Sequence, residues 1–135
     1  MSKGRILIVD DNVDNQELVR FILEQADYEV MVAMDGSEGL KKTLELKPDL
    51  VLLDMSMPEM DGWDVARKLK AEPEAAGICV VALTAHILPG DRKKALDAGC
   101  DGYISKPLDV PNFTGQIASY LRKRNPGRNT GSLTF

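Results

Sequence analysis

Five residues of this chain place a charge or a hydroxyl group at the end of an apolar run: Asp10, Asp11, Asp54, Thr84 and Lys106. A carboxylate such as Asp54, directly after Val-Leu-Leu, lies where partial burial makes its charge costly unless something compensates it. Three clustered carboxylates would also repel one another and raise one another's pKa. A divalent cation would provide the missing compensation.

The donor atoms of these acids indicate which cation fits. Carboxylates without histidine or cysteine nearby favour a hard ion. Mg²⁺ suits a site in which a few protein ligands are completed by water and phosphate. With its charge neutralised, Asp54 could act as a nucleophile on a phosphoryl group. Lys106 would pair with Asp54 or with a phosphoryl oxygen, and the Thr84 hydroxyl would donate to another oxygen. For Asp10 or Asp11 taken alone, simple helix capping stays open.

Five β-rich runs predict the strands that must position these side chains, at residues 5–9, 29–33, 50–53, 78–84 and 102–105. Most are continuously apolar, which is typical of strands covered on both faces of a parallel sheet. Segments with helical spacing lie between them; in the first, Leu18, Phe21 and Ile22 form an apolar stripe. The alternation predicts a doubly wound α/β sandwich with right-handed crossovers. Sites in such folds form at the carboxyl ends of strands, where all five residues fall.

Several helix boundaries carry their own signals. Asp35 and Asp61, each followed by glycine, precede the second and third helices, and Gly99 follows the fourth. These signals agree with the periodicity. The apolar residues of the first helix cover more than one buried face needs, so part of that surface could serve for docking.

Composition limits the function classes. With 135 residues, 44% of them hydrophobic, the chain fits one domain, and a net charge of −4 argues against a nucleic-acid partner. The first residues, MSKGRILIVDD, contain too few consecutive apolar residues for a signal peptide or a membrane span. We therefore expect a cytoplasmic protein without a membrane partner. Cys79 and Cys100 are expected to be free thiols. Residues 1–124 are predicted to fold, and 125–135 to be a disordered tail or a linker remnant.

Four segments carry a resemblance in the right order and spacing: LIVDDN, LVLLDMSMPEMDGWDV, VVALTA and GCDGYISKPL. Together they resemble the receiver domain of two-component response regulators, of the stand-alone CheY/DivK-like kind. The resemblance covers about residues 3–124. It implies a flavodoxin-like fold with strand order 2-1-3-4-5 and five helices.

The resemblance also implies roles for individual residues. Asp54 would be the phosphoacceptor, and Asp11 and Asp54 would bind Mg²⁺ directly. Asp10 would act mostly through water, and the backbone carbonyl of Ser56 would be a further ligand. Lys106 would contact phosphate, and a switch pair would be formed by Thr84 and Tyr103.

The implied function is a signalling switch that catalyses its own phosphorylation and dephosphorylation, rather than an enzyme acting on external substrates. The donor would be a histidine kinase or a histidine phosphotransfer protein, and the downstream target is an unidentified protein. A receiver from a larger regulator or hybrid histidine kinase would share this chemistry.

Other classes of protein match the sequence less well. A flavodoxin-like cofactor binder would need a Ser-, Thr- and Gly-rich first loop, where Asp10 and Asp11 would repel phosphate. A haloacid-dehalogenase-type hydrolase would need a second acid at the position of Ser56. The single histidine, His86, lacks the acidic neighbour and long helix expected of a phosphodonor and is interpreted as a loop residue.

Overall fold

A computed structural model of the chain describes residues 3–55, 57, 61–75, 77–84, 91–106 and 108–123. Five strands and five α-helices alternate along these residues, with a short 3₁₀ helix at Pro73–Ala75. The strands are β1 (Arg5–Val9), β2 (Glu29–Ala33), β3 (Leu50–Asp54), β4 (Cys79–Thr84) and β5 (Gly102–Ser105). The helices are α1 (Val13–Gln25), α2 (Gly36–Leu46), α3 (Gly62–Ala71), α4 (Asp91–Asp97) and α5 (Val110–Lys123).

The strands form one parallel sheet in the order β2-β1-β3-β4-β5, which confirms the predicted doubly wound fold class. Val9 at the end of β1 lies opposite Leu53 of β3, and Asp54 lies opposite Leu83 of β4. The order reverses between β1 and β3, because β2 lies on one side of β1 and all later strands lie on the other. This reversal is the switch point where ligands bind in open α/β sheets.

Side chains alternate between the two faces of the sheet, as the pleat requires. On one face Val51 and Leu53 of β3 pack in a core with α2, α3 and α4. On the other, Leu50 and Leu52 pack in a second core with α1 and α5. Both cores are closed, since these four side chains are at most 1% exposed. Strands covered on both faces explain the continuous apolar runs.

The first helix turns a different stripe toward the core than its sequence suggested. Val19 and Leu23 are buried, whereas Leu18 and Phe21 are 52% and 61% exposed. Ile22 is only partly buried at the margin of the core. Because apolar residues lie on two sides of α1, spacing alone could not determine which side packs against the sheet.

Helix ends follow the sequence signals where polar caps are present. The side chains of Asp35 and Asp61 cap α2 and α3 by accepting from Glu38 N and Trp63 N, as predicted. Asn12 caps α1 by accepting from Asn15 N, which the sequence analysis did not single out. Gly99 after α4 has φ of 84°, the left-handed conformation that favours glycine at a helix end.

Several predictions concern residues outside the described ranges, namely those for Ser56, His86 and the segment 125–135. Within the described ranges, no helix has the length and apolar character needed to cross a membrane.

Candidate functional site

The carboxylates of Asp10, Asp11 and Asp54 meet at the carboxyl edge of the sheet, and we call them the acidic cluster. One oxygen from each lies within 4.8 Å of the others. Asp10 follows β1 directly, and Asp54 is the last residue of β3, so the pairing of these two strands brings the acids together. Asp10 and Asp54 are 1% and 3% exposed, whereas Asp11 faces solvent.

Lys106 supplies a positive charge to this cluster. Its Nζ lies 2.9 Å from Asp54 Oδ1 and donates a hydrogen bond to it. The residue follows β5, and its backbone N–H donates to Thr84 O at 2.8 Å, which continues the β4–β5 ladder past the strand end. That backbone anchor lets a long, flexible side chain reach across β4 to the end of β3.

Burial dominates the electrostatics of Asp10. It raises the pKa of the Asp10 carboxyl from 3.8 to about 6, and the charge of Asp54 and a hydrogen bond to Asp54 act in the same direction. A hydrogen bond from Asn12 N to Asp10 Oδ1, 2.9 Å long, and the charge of Lys106 lower the pKa in part. Mutual repulsion was predicted as the cause of a raised pKa, but desolvation of Asp10 contributes more than the charge of Asp54.

Thr84 and Tyr103 lie on the neighbouring strands β4 and β5. Thr84 ends β4, is 7% exposed and lies one residue beyond Leu83, the partner of Asp54 in the sheet. Tyr103 pairs with Ala82, and its ring is partly buried against the core under α3 and α4. The backbone carbonyl of Tyr103 accepts a 3.1 Å hydrogen bond from the Tyr120 hydroxyl on α5.

A cavity of about 240 Å³ opens beside the acidic cluster, between α1 and the start of α5. Its lining combines the polar residues Asp10, Asn15 and Lys106 with apolar side chains that include Leu18 and Leu83. A ligand group that enters here would meet the exposed part of α1 and the charged site together.

The donor set fits a hard divalent cation. The three ligand atoms are all carboxylate oxygens, and only one positive side chain, Lys106, is paired with the cluster in the contacts found among the described residues. Three carboxylates and one ammonium leave an excess of negative charge at a largely buried place. A divalent cation would remove this excess.

Sequence reasoning missed two polar residues that support the cluster, Asn12 and Gln16. Asn12 caps α1 and hydrogen-bonds Asp10 as described above, and its position two residues after Asp10 was a usable N-cap signal. Gln16 is 6% exposed and lies on the buried stripe of α1 with Val19 and Leu23. No sequence signal distinguished Gln16, because the spacing of apolar residues did not determine which side of α1 is buried.

The fold and site together define a class of protein: a flavodoxin-like α/β domain of the CheY type with an acidic cluster at its switch point. A family model described as the response regulator receiver domain matches residues 6–118. The chain therefore belongs to the response regulator receiver domain family of two-component signalling.

Relatives with similar sequences support the same assignment. The polar-differentiation response regulator DivK of Brucella anthropi is 40% identical over 116 residues, which cover 86% of this chain and 94% of the relative. DivK of Brucella ovis matches with the same identity and coverage.

Solved structures of the same fold include a chemotaxis protein and receiver domains of histidine kinases. Chemotaxis protein CheY4 of Vibrio cholerae superposes with a TM-score of 0.82 at 25% identity, covering 87% of this chain and 98% of that one. The receiver domain of a histidine kinase from Syntrophus aciditrophicus gives 0.81 at 32% identity and 98% coverage of both chains. A sensor-kinase receiver domain from Pseudomonas aeruginosa, with magnesium in its active-site cleft, gives 0.80 at 28% identity, covering 88% and 98%.

Proposed function

We propose that this receiver accepts a phosphoryl group on Asp54 from a phosphohistidine donor in a Mg²⁺-dependent reaction and thereby switches a protein-binding surface. The observation that carries the proposal is the environment of Asp54. Its carboxylate is 3% exposed, pairs with Lys106 at 2.9 Å and lies with Asp10 and Asp11 in one cluster. A buried acid with both an ammonium and further acids beside it suits phosphoryl transfer better than structural pairing.

Asp11 and Asp54 are proposed as direct Mg²⁺ ligands, with Asp10 acting mostly through water. The backbone carbonyl of Ser56, outside the described residues, completes the proposed protein ligands. When bound, Mg²⁺ neutralises the acidic cluster and stabilises negative charge on the phosphoryl oxygens. The magnesium ion in the Pseudomonas aeruginosa receiver domain supports this choice of cation.

In the proposed reaction, a carboxylate oxygen of Asp54 forms a bond to phosphorus while the bond from phosphorus to the histidine nitrogen of the donor breaks. The leaving imidazole keeps the electron pair of that bond and is protonated from solvent. Lys106 Nζ moves from Asp54 Oδ1 to a phosphoryl oxygen, and the Thr84 hydroxyl donates to another oxygen. Hydrolysis of the resulting acyl phosphate by water resets the domain.

Thr84 and Tyr103 are proposed to carry the signal away from Asp54. A hydroxyl drawn toward the phosphoryl group would vacate space beside β5, into which the partly buried Tyr103 ring could turn. The short helix α4 should respond most easily, because the buried apolar side chains that anchor it are small, Ala95 within the helix and Ala98 directly after it, while Leu96 is 48% exposed. Since only a population shift is required, a minor active-like state should exist without phosphate.

Amide hydrogen exchange tests this route. A beryllofluoride mimic added with Mg²⁺ should change exchange mainly in residues 84–106 and leave Val51, Leu52 and Leu53 little changed, because the core of β3 is closed on both faces. If the mimic binds and residues 84–106 exchange as before, the proposed route from Asp54 is wrong.

The proposed phosphodonor is a histidine kinase or a histidine phosphotransfer protein of the cytoplasm, and the output partner is a further protein. The cavity beside Asp10 and Lys106 offers room for apolar side chains of the donor next to the phosphoacceptor. A receiver within a larger regulator or hybrid kinase is a second candidate. The match to the Syntrophus aciditrophicus kinase receiver over 98% of both chains supports it.

Phosphorylation by a small donor tests the central proposal. Incubated with acetyl phosphate and Mg²⁺, the chain should gain one phosphoryl group, detected by intact mass, and chelation of Mg²⁺ should prevent this. Asp54→Asn should remain unlabelled, whereas Asp101→Asn, with a lysine-paired aspartate outside the site, should label normally. Equal labelling of Asp54→Asn and the unmodified chain would reject Asp54 as the acceptor.

A further inference from the structure

Gln16 occupies a position where an apolar side chain would be expected. It lies on the inner stripe of α1 with Val19 and Leu23 and is 6% exposed. Burying an amide group costs free energy unless hydrogen bonds replace those it made with water. The burial of Gln16 is therefore favourable only if its amide group forms hydrogen bonds within the protein.

The side-chain amide of Gln16 joins the ends of two strands. Its Nε2 donates to the backbone carbonyl of Asp10 and to the carbonyl of Ala33 at the end of β2, the latter at 3.3 Å. The same nitrogen lies 3.1 Å from the sulfur of Met34. The backbone N–H of Asp10 also donates to Ala33 O, at 3.0 Å. Asp10 is thus held to β2 directly through its N–H and indirectly through its carbonyl.

The carbonyl that Gln16 holds belongs to the peptide group between Asp10 and Asp11. A peptide group is planar, so fixing its carbonyl limits rotation on both sides, at ψ of Asp10 and φ of Asp11. Those two rotations help to set where the carboxylates of Asp10 and Asp11 lie relative to Asp54. Without the hydrogen bond to Gln16, we expect changes at these angles to displace the Asp11 carboxylate relative to Asp54.

We propose that Gln16 is a positioning residue for the cation site: it holds the Asp10–Asp11 peptide group so that both carboxylates face Asp54. This inference rests on the proposed function, because it assigns Gln16 to the site in which Asp54 accepts phosphate with Mg²⁺. Gln16 itself contacts neither the phosphoryl group nor the cation. It acts through the backbone of the residues that do.

The substitution Gln16→Met separates positioning from simple stabilisation. Methionine keeps the length and volume of the side chain but donates no hydrogen bond. Thr43→Val is the matched control, since Thr43 is fully buried in α2 and its hydroxyl bonds Gly39 O at 2.7 Å, away from the acidic cluster. Both variants lose a buried hydrogen bond, and both should melt at a lower temperature than the unmodified chain.

Mg²⁺ titration by calorimetry distinguishes the two roles. Gln16→Met should bind Mg²⁺ about tenfold more weakly or worse, as for the loss of other outer-shell partners of metal ligands, whereas Thr43→Val should keep the original affinity. The amide nitrogen resonance of Asp11 should shift in Gln16→Met, because the carbonyl bonded to that nitrogen loses a hydrogen bond. Unchanged Mg²⁺ affinity in a folded Gln16→Met would overturn the inference.

A measurement on the unmodified chain covers the case in which Gln16→Met does not fold. During Mg²⁺ titration the side-chain amide signals of Gln16 should shift together with the Asp11 backbone signal, while those of the exposed Gln25 should stay in place. If the Gln16 signals do not shift while Asp54 still becomes phosphorylated, the inference about Gln16 is wrong and the proposed function stands. Absence of any Mg²⁺ binding by the unmodified chain would overturn both the inference and the proposed function.

Discussion

Two lysine–aspartate pairs lie at opposite ends of the same sheet. The site pair, Lys106 and Asp54, is at the carboxyl edge with 2.9 Å between Nζ and Oδ1. The edge pair, Lys70 and Asp101, is at the amino edge near the starts of β4 and β5, with 2.8 Å between Nζ and Oδ2. The lysines are equally covered, with 20% and 19% of their side chains exposed.

The surroundings of the two aspartates differ. Asp101 is 38% exposed, and its Oδ2 also accepts a 2.8 Å hydrogen bond from Val80 N, while Lys70 donates to Ile78 O at 2.9 Å. The charges of the edge pair are therefore balanced, and its partners are backbone groups that it ties together. Asp54 is 3% exposed and shares its place with two further carboxylates.

The two pairs are nearly equal in length, so they differ in the balance of charge around them rather than in distance. Among the described residues, the acids at the site pair outnumber the paired ammonium, which makes the arrangement costly without a cation and suited to binding one. Substitutions in the site pair should therefore mainly slow phosphorylation, whereas substitutions in the edge pair should mainly lower the free energy of unfolding.

The largest difference should appear in the phosphorylation rate. Lys106→Met removes a cation from the proposed phosphoryl site and should slow labelling by acetyl phosphate by about 10²- to 10³-fold, the usual loss for one donor in such a site. Lys70→Met, measured in the same time course by intact mass, should label at the original rate. Equal slowing in both variants would mean that the comparison fails.

The second largest effect should be a loss of Mg²⁺ affinity when an acid of the cluster is removed. Asp11→Ala removes the exposed carboxylate of the acidic cluster, a proposed Mg²⁺ ligand, and the dissociation constant measured by calorimetry should rise by at least about tenfold. Asp101→Ala serves as the control, because it removes an equally charged residue outside the cluster. An unchanged dissociation constant for Asp11→Ala would remove Asp11 from the proposed site.

The free energy of unfolding should depend more on the edge pair than on the site pair. Asp101→Ala leaves Val80 N without its acceptor and should lower the free energy of unfolding by about 1–3 kcal/mol, measured by urea denaturation. Asp54→Asn in Mg²⁺-free buffer should cause no such loss, since it removes one of three mutually repelling acids. A greater loss for Asp54→Asn would show that the site pair stabilises the fold more than the edge pair does.

The smallest effect should be a pH dependence of stability that comes from Asp10. The pKa of Asp10 is about 6 in the folded chain against 3.8 as the ordinary value, so the folded state binds the proton more tightly. Without Mg²⁺, this residue should therefore make the chain more stable as the pH falls from 7 toward 4. The increase should be absent from Asp10→Asn, compared by melting temperature across the same pH series. Identical curves would refute the raised pKa.

Local patterns in the sequence were sufficient to predict the strands and helices of this fold. Three of the five strand ranges, 5–9, 29–33 and 102–105, agree with the structure at both ends, because each is a short β-rich run between polar or glycine-containing breaks. The caps at Asp35 and Asp61 are equally local, since each depends on one side chain and the backbone of the following turn. The alternation of elements then indicated a doubly wound sheet.

The sequence by itself thus determined the strands, the alternation and the polar residues at the strand ends. Only the tertiary structure decided how closely Asp10, Asp11 and Asp54 approach, and that Lys106 pairs with an aspartate 52 positions earlier. It also decided the rotation of α1, where apolar residues lie on two sides and a buried Gln16 finds acceptors on β1 and β2. The physical reason is that these features depend on contacts between distant segments, which no local spacing records.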